Sequence, residues 1–147
     1  MEDRARRHLL YWGAAIFAFL VFNRKTGNGT LQKDTQGGGY SQMAMAIANA
    51  EGWNASELQR SRHNPGNIRD FSLPGWPIKQ FATDDDGWAA LESLVAKIKV
   101  GVPPYPEGAS IAEVARIYTG EAQYMNWSNN VAAYLGVSSN IPFSEVA

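Results

Sequence analysis

Hydrophobic positions recur along the second two-thirds of the chain with the period of a helix. Met43, Ile47 and Ala50 are spaced i, i+4, i+7, with Ser41 before them as a capping residue and Gly52 after them as a stop. A second helix is predicted after Thr83. Asp84, Asp85 and Asp86 fill its first turn, where the helix dipole favours negative charge, and Asp86 takes the capping-box position. Trp88, Leu91, Val95 and Ile98 line one face, and Gly101 follows. Ser110 with Glu113 three residues later forms another capping box, ahead of the stripe Ile111, Val114, Ala115, Tyr118 and the stop Gly120. Trp127, Val131, Tyr134 and Leu135 make a fourth stripe, closed by Gly136. Between Gly52 and Thr83 the helical pattern lapses for about thirty residues, and Pro74-Gly75-Trp76-Pro77 reads as turns. A stretch of that length in a compact domain is a functional loop or holds a small hairpin. The expected fold is therefore mainly α, with a small β element or long loop after the first helix.

The first forty residues read differently. Leu9 to Phe22 (LLYWGAAIFAFLVF) has no charge and is flanked by Arg4, Arg6 and Arg7 on one side and Arg24 and Lys25 on the other. As a helix it would be about 21 Å long, short against a bilayer core of about 30 Å. Tyr11 and Trp12 suit a membrane interface and the bases suit snorkelling. An uncleaved signal anchor, a cleaved signal peptide and an apolar helix packed on the domain all fit the run. The first is preferred because Val21 to Lys25 lacks a small-x-small cleavage site. Asn23 to Tyr40, with five glycines and one aliphatic residue, Leu31, is expected to be a flexible linker. The chain is thus divided into an anchor (1–22), a linker (23–40) and a folded domain (41–147).

Composition narrows the function. There is no Cys, which excludes a disulfide framework, a zinc ribbon and a thiol nucleophile, and two His make a His-rich metal site improbable. The formal charge of -1 hides an asymmetry. Residues 1–40 hold six bases and three acids, leaving seven bases and eleven acids for the folded part. An acidic folded domain argues against nucleic acid as a partner.

Glu51 is the strongest chemical candidate. It lies four residues beyond Ile47, on the apolar stripe, and in the last helical turn. Burial and the negative end of the helix dipole both disfavour its charged form, the condition for a general acid at neutral pH. A surface Glu near a helix end is the alternative.

The surroundings of Glu51 resemble a family. Ala48-Asn49-Ala50-Glu51-Gly52-Trp53 is followed by His63-Asn64-Pro65-Gly66-Asn67-Ile68-Arg69, then by Phe81 and Asp86-Gly87-Trp88-Ala89-Ala90-Leu91. Downstream come Ala115-Arg116-Ile117-Tyr118-Thr119-Gly120 and Asn126-Trp127 through Val137. This order is similar to the small phage and bacterial lytic transglycosylases of the lysozyme-like superfamily, over about residues 41–140. His63 and Thr119 depart from the family pattern, each standing where Asn is usual. The resemblance implies a lysozyme-like α+β fold and a peptidoglycan-cleaving enzyme, with a phage virion as the favoured origin; joined to the anchor read from Leu9–Phe22, it gives a membrane-tethered domain that faces the periplasm or cell wall. Its substrate would be the glycan strands of peptidoglycan. It implies a scheme with one carboxyl group, Glu51, acting as acid and then base to leave 1,6-anhydromuropeptides, with no metal or cofactor. Asn64, Asn67, Tyr118, Trp53 and Arg69 are the candidate substrate-binding residues. Turn chemistry is the alternative for the two Asn, core packing for Tyr118 and Trp53, and a solvated surface position for Arg69. Trp76 and Trp127 are further candidates for stacking on sugar rings. A hydrolytic muramidase would need a second carboxyl group, and Asp70 is the least implausible. An inactive wall-binding or virion structural protein is the non-enzymatic alternative.

Overall fold

The computed structural model describes residues 39–146. The expected anchor helix Leu9–Phe22 and all but the last two residues of the expected linker lie outside the described residues. Among the described residues no helix is long and apolar enough to cross a membrane. From Tyr40 onward the chain forms one compact, mainly helical unit.

Five α-helices follow in order: α1 (Gln42–Ala50), α2 (Glu57–Ser61), α3 (Asp84–Lys99), α4 (Ile111–Thr119) and α5 (Tyr124–Leu135), with a closing 3-10 turn at Phe143–Glu145. All three expected N-caps act as the spacing predicts. The Ser41 hydroxyl accepts from the Ala44 amide, and that of Thr83 from Asp86. Ser110 and Glu113 form the full reciprocal box. At α3 the Asp86 carboxylate instead accepts from the Thr83 hydroxyl (2.8 Å). Ser110→Ala removes one cap acceptor and half of the box. It is expected to cost about 1 kcal/mol, read from the urea midpoint.

α1 is the centre of the domain. Met43, Ala44, Ala46, Ile47 and Ala48 are all buried, so more than the expected stripe is covered. A helix apolar on several faces must be packed on several sides, and α5 and α3 both pack on α1. Its alanines allow these neighbours to approach closely. α4 packs on α5, joining Val114 and Ala115 to Trp127 and Val131 in one core that also holds Leu91, Val95, Ile98 and Phe143. Tyr134, expected on the α5 stripe, is 45% exposed; Ser128 and Ala132 fill the inner face instead. Gly136 ends α5 in the left-handed conformation (φ 70°), which an L side chain resists.

The unpatterned stretch contains no strand. It holds α2, too short to show a period, and a single antiparallel bridge between Arg69 and Ile78. The expected β element is thus reduced to one bridge, at the base of the loop that runs through Asp70 to Pro77. The Lys79 amide donates to the Ile68 carbonyl and the Asp70 amide to Pro77, both at 2.8 Å.

Candidate active site

Glu51 is the C-cap of α1. Its backbone carbonyl, left without a partner inside the helix, accepts from the Gln59 side-chain amide. α2 therefore closes the end of α1, and Gln59 is buried for that purpose. The carboxyl group of Glu51 is held on both oxygens. Trp127 Nε1 on α5 donates to Oε1 (2.8 Å), and Asn67 Nδ2 donates to Oε2 (3.1 Å). Glu51 retains partial solvent access as a residue, while the protein atoms crowding its carboxyl group leave that group largely desolvated.

These contacts oppose one another. Desolvation raises the Glu51 pKa, whereas the bonds from Trp127 and Asn67 and the charge of Arg69 lower it. Desolvation wins, and the pKa rises from 4.5 to about 7. At neutral pH both protonation states are then populated, so one side chain is equipped to give a proton and to take one back.

A pH dependence of stability follows. The unfolded chain ionises Glu51 near 4.5, while the fold holds the proton up to about 7. Between these values the folded state binds the extra proton. Stability from this group is therefore fully present below about pH 4.5 and is lost as pH rises through about 7. The loss is at most on the order of 3 kcal/mol, from about 1.4 kcal/mol per pKa unit. Comparing urea midpoints of wild type and Glu51→Gln across this range cancels other titrating groups. The difference between the two proteins should change in favour of the variant as pH rises.

The other candidates take distinct places. Asn67 touches Glu51 directly. Asn64 does not reach the site: it is completely buried, its Nδ2 donates to the carbonyls of Ile68 (2.9 Å) and Lys79 (2.7 Å), and its Oδ1 accepts from the Ile68 amide (2.9 Å). All its polar atoms serve the turn, leaving none for a sugar. The Tyr118 hydroxyl donates to the Gly66 carbonyl, and its ring lies 5.0 Å from that of Trp127 at 34°. Its pKa is raised well above 10, by burial first and then by the charge of Glu51. Tyr118 thus lies close to Glu51 but spends its proton on the turn. Arg69 is part-buried; its Nη1 donates to the Trp76 carbonyl (3.0 Å), which holds its charge where it acts on Glu51. Trp53 is part-buried and meets Trp88 edge-on (6.0 Å, 79°), while Trp88 stacks on Tyr40 (4.4 Å). This is a packing role, two residues from Glu51.

Trp127 is legible as an aromatic on a stripe and a candidate for stacking on sugar rings, with nothing in the sequence to mark it as the donor to Glu51. Gln59 had no signal at all, being one polar residue in a polar segment. Both acquire their roles from neighbours distant in sequence or across an irregular turn.

Asp70 is turned into its own loop. Its carboxylate accepts from the amide (3.0 Å) and hydroxyl (2.5 Å) of Ser72, which lowers its pKa. Among the described residues, no carboxylate is among the groups that shift the Glu51 pKa. Compared with known protein families, curated proteins and solved structures, the chain matches none.

Proposed function

We propose that this chain is a peptidoglycan lytic transglycosylase of lysozyme-like fold, tethered to a membrane through Leu9–Phe22 and carried by a phage virion. The observation that carries the reading is the Glu51 carboxyl group, desolvated at the end of α1, gripped by Trp127 and Asn67 and poised near neutrality. In the proposed reaction protonated Glu51 gives its hydrogen to the oxygen linking MurNAc to GlcNAc. The C1–O bond breaks and GlcNAc leaves with a free 4-hydroxyl. The substrate's own acetamido group stabilises the cationic carbon. Glu51, now a carboxylate, takes the proton of the MurNAc 6-hydroxyl as that oxygen closes on C1. Proximity of the 6-hydroxyl replaces an external nucleophile, and the product end is a 1,6-anhydro sugar.

A hydrolytic muramidase is the second reading. It calls for another carboxyl group across the scissile bond. The engagement of Asp70 with Ser72 and the absence, among the described residues, of an acid acting on Glu51 favour the one-carboxyl scheme. Mass spectrometry of fragments released from sacculi by the full chain tests both. Anhydro ends that resist borohydride are expected. Reducing ends would replace the lyase by a hydrolase, and no soluble fragments at all would leave a non-catalytic wall-binding protein.

A further inference from the structure

The side-chain amide of Asn67 has an unusual set of partners. Its Nδ2 donates to Glu51 Oε2 at 3.1 Å. Its Oδ1 is shielded from solvent and has no hydrogen-bond partner among the described residues. Among the described residues, Glu51 is therefore the single group to which this amide is bonded. An amide presents a donor on one edge and an acceptor on the other, and a turn about its terminal bond exchanges them. In most buried Asn that exchange is blocked, because both edges are committed. Asn64, three residues earlier in the same turn, shows the blocked case, with three bonds to backbone groups. Asn67 is bound on one edge only, so turning it over sacrifices no other protein bond.

We propose that Asn67 is a positioning residue that follows the proton of Glu51: its amide donates to the carboxylate and, turned over, accepts from the carboxylic acid. In the ionised state Glu51 Oε2 needs a donor, and Nδ2 supplies it. In the protonated state a proton on Oε2 faces Nδ2, which has none of the acceptor capacity required, and Oδ1 has it. The other groups around the carboxyl cannot make this change. Trp127 Nε1 on α5 is a donor only, and it holds Oε1 in both states. Arg69, from the loop base, is a fixed positive charge. The Tyr118 hydroxyl on α4 is committed to the Gly66 carbonyl, and the Gln59 amide on α2 reaches only the Glu51 backbone. Among the described residues, Asn67 is thus the one amphoteric group on the carboxyl. Asn67 sits at φ 52°, a left-handed position that Asn tolerates better than most side chains. A residue that is acid in one half of a reaction and base in the other keeps a hydrogen bond on its proton-bearing oxygen throughout only with such a partner. That catalytic meaning rests on the transglycosylase reading; the coupling of amide to proton does not.

The test is a pH titration of the full chain by nuclear magnetic resonance, following the Glu51 side-chain carboxyl carbon and the Asn67 side-chain amide together. The Asn67 amide resonances are expected to move with the same midpoint as the Glu51 carbon, the donor form appearing as pH rises. Resonances that stay still while Glu51 titrates would overturn the proposal. Asn67→Gly suits the left-handed backbone and removes both edges; because the amide bonds the carboxylate and the acid alike, the Glu51 midpoint is expected to rise by less than about one pKa unit, while turnover falls about tenfold, the weight of one hydrogen bond to a charged group. A rise of more than about one pKa unit in that variant, with the fold intact by circular dichroism, is what loss of a donor to the carboxylate alone gives, and would also overturn it. Should the variant fail to fold, the wild-type amide resonances decide alone. A Glu51 midpoint far from neutrality would count against the transglycosylase reading, and the amide would still have to follow it.

Discussion

Glu51→Gln is expected to keep the fold and to lower the release of fragments from sacculi by at least about a thousandfold, at every pH tested. One side chain is asked to act as acid and then as base, and each role contributes roughly a hundredfold or more. The amide has the shape of the acid but no proton to transfer. The site accommodates it well. The Gln oxygen can take the bond from Trp127 Nε1, and its N–H faces Asn67, whose unpartnered Oδ1 accepts it after a turn of the amide. The variant also lacks the desolvated charge, so it should match or exceed wild-type stability above about pH 7, where the wild-type carboxyl is ionised. An inactive but stable protein separates loss of chemistry from loss of structure. Retained turnover in sacculus digestion would remove Glu51 from the mechanism and with it the enzyme proposed here.

Gly87→Ala is expected to be the most damaging single methyl group in the domain. Gly87 is buried in the first turn of α3, and a Cβ there would stand 1.8 Å from the His63 carbonyl oxygen and 2.9 Å from Pro65 Cδ. The first obstacle is backbone, so no rotamer change relieves it. α3 would have to leave the turn, taking Leu91 from the core and disturbing the support of Asn67. A cost of about 4 kcal/mol is expected, at the upper end of what overpacking does. Chemical denaturation reads the stability. If the variant still folds, the Glu51 midpoint should move as the turn shifts. A change of under about 1 kcal/mol would show that the helix and the turn are less tightly engaged than this.

Much of the helical layout can be read from local signals because those signals act locally. Ser41, Thr83 and Ser110 cap their own helices, and Gly136 ends α5 through its own backbone angle. Glu51 was identifiable as a candidate because its distance from Ile47 and its place at the helix end are both sequence properties. α2 was invisible: five residues make little more than one turn, too few to display a period. The role of Asn64 was ambiguous because a buried Asn and a sugar-binding Asn are the same residue in the same turn motif. Its burial and three backbone bonds decided between them.

The chain's local code therefore specifies the helices, their ends and the position of one suspicious carboxyl group. It does not specify what surrounds that group. Trp127 reaches Glu51 from 76 positions away because α5 packs on α1, and Asn67 reaches it because the turn is pinned by the Tyr118 hydroxyl on the Gly66 carbonyl and by the close approach of Gly87 to His63 and Pro65. Desolvation, the dominant effect on that carboxyl, is a sum over atoms from segments far apart in the chain, so it exists only once the helices have closed around it.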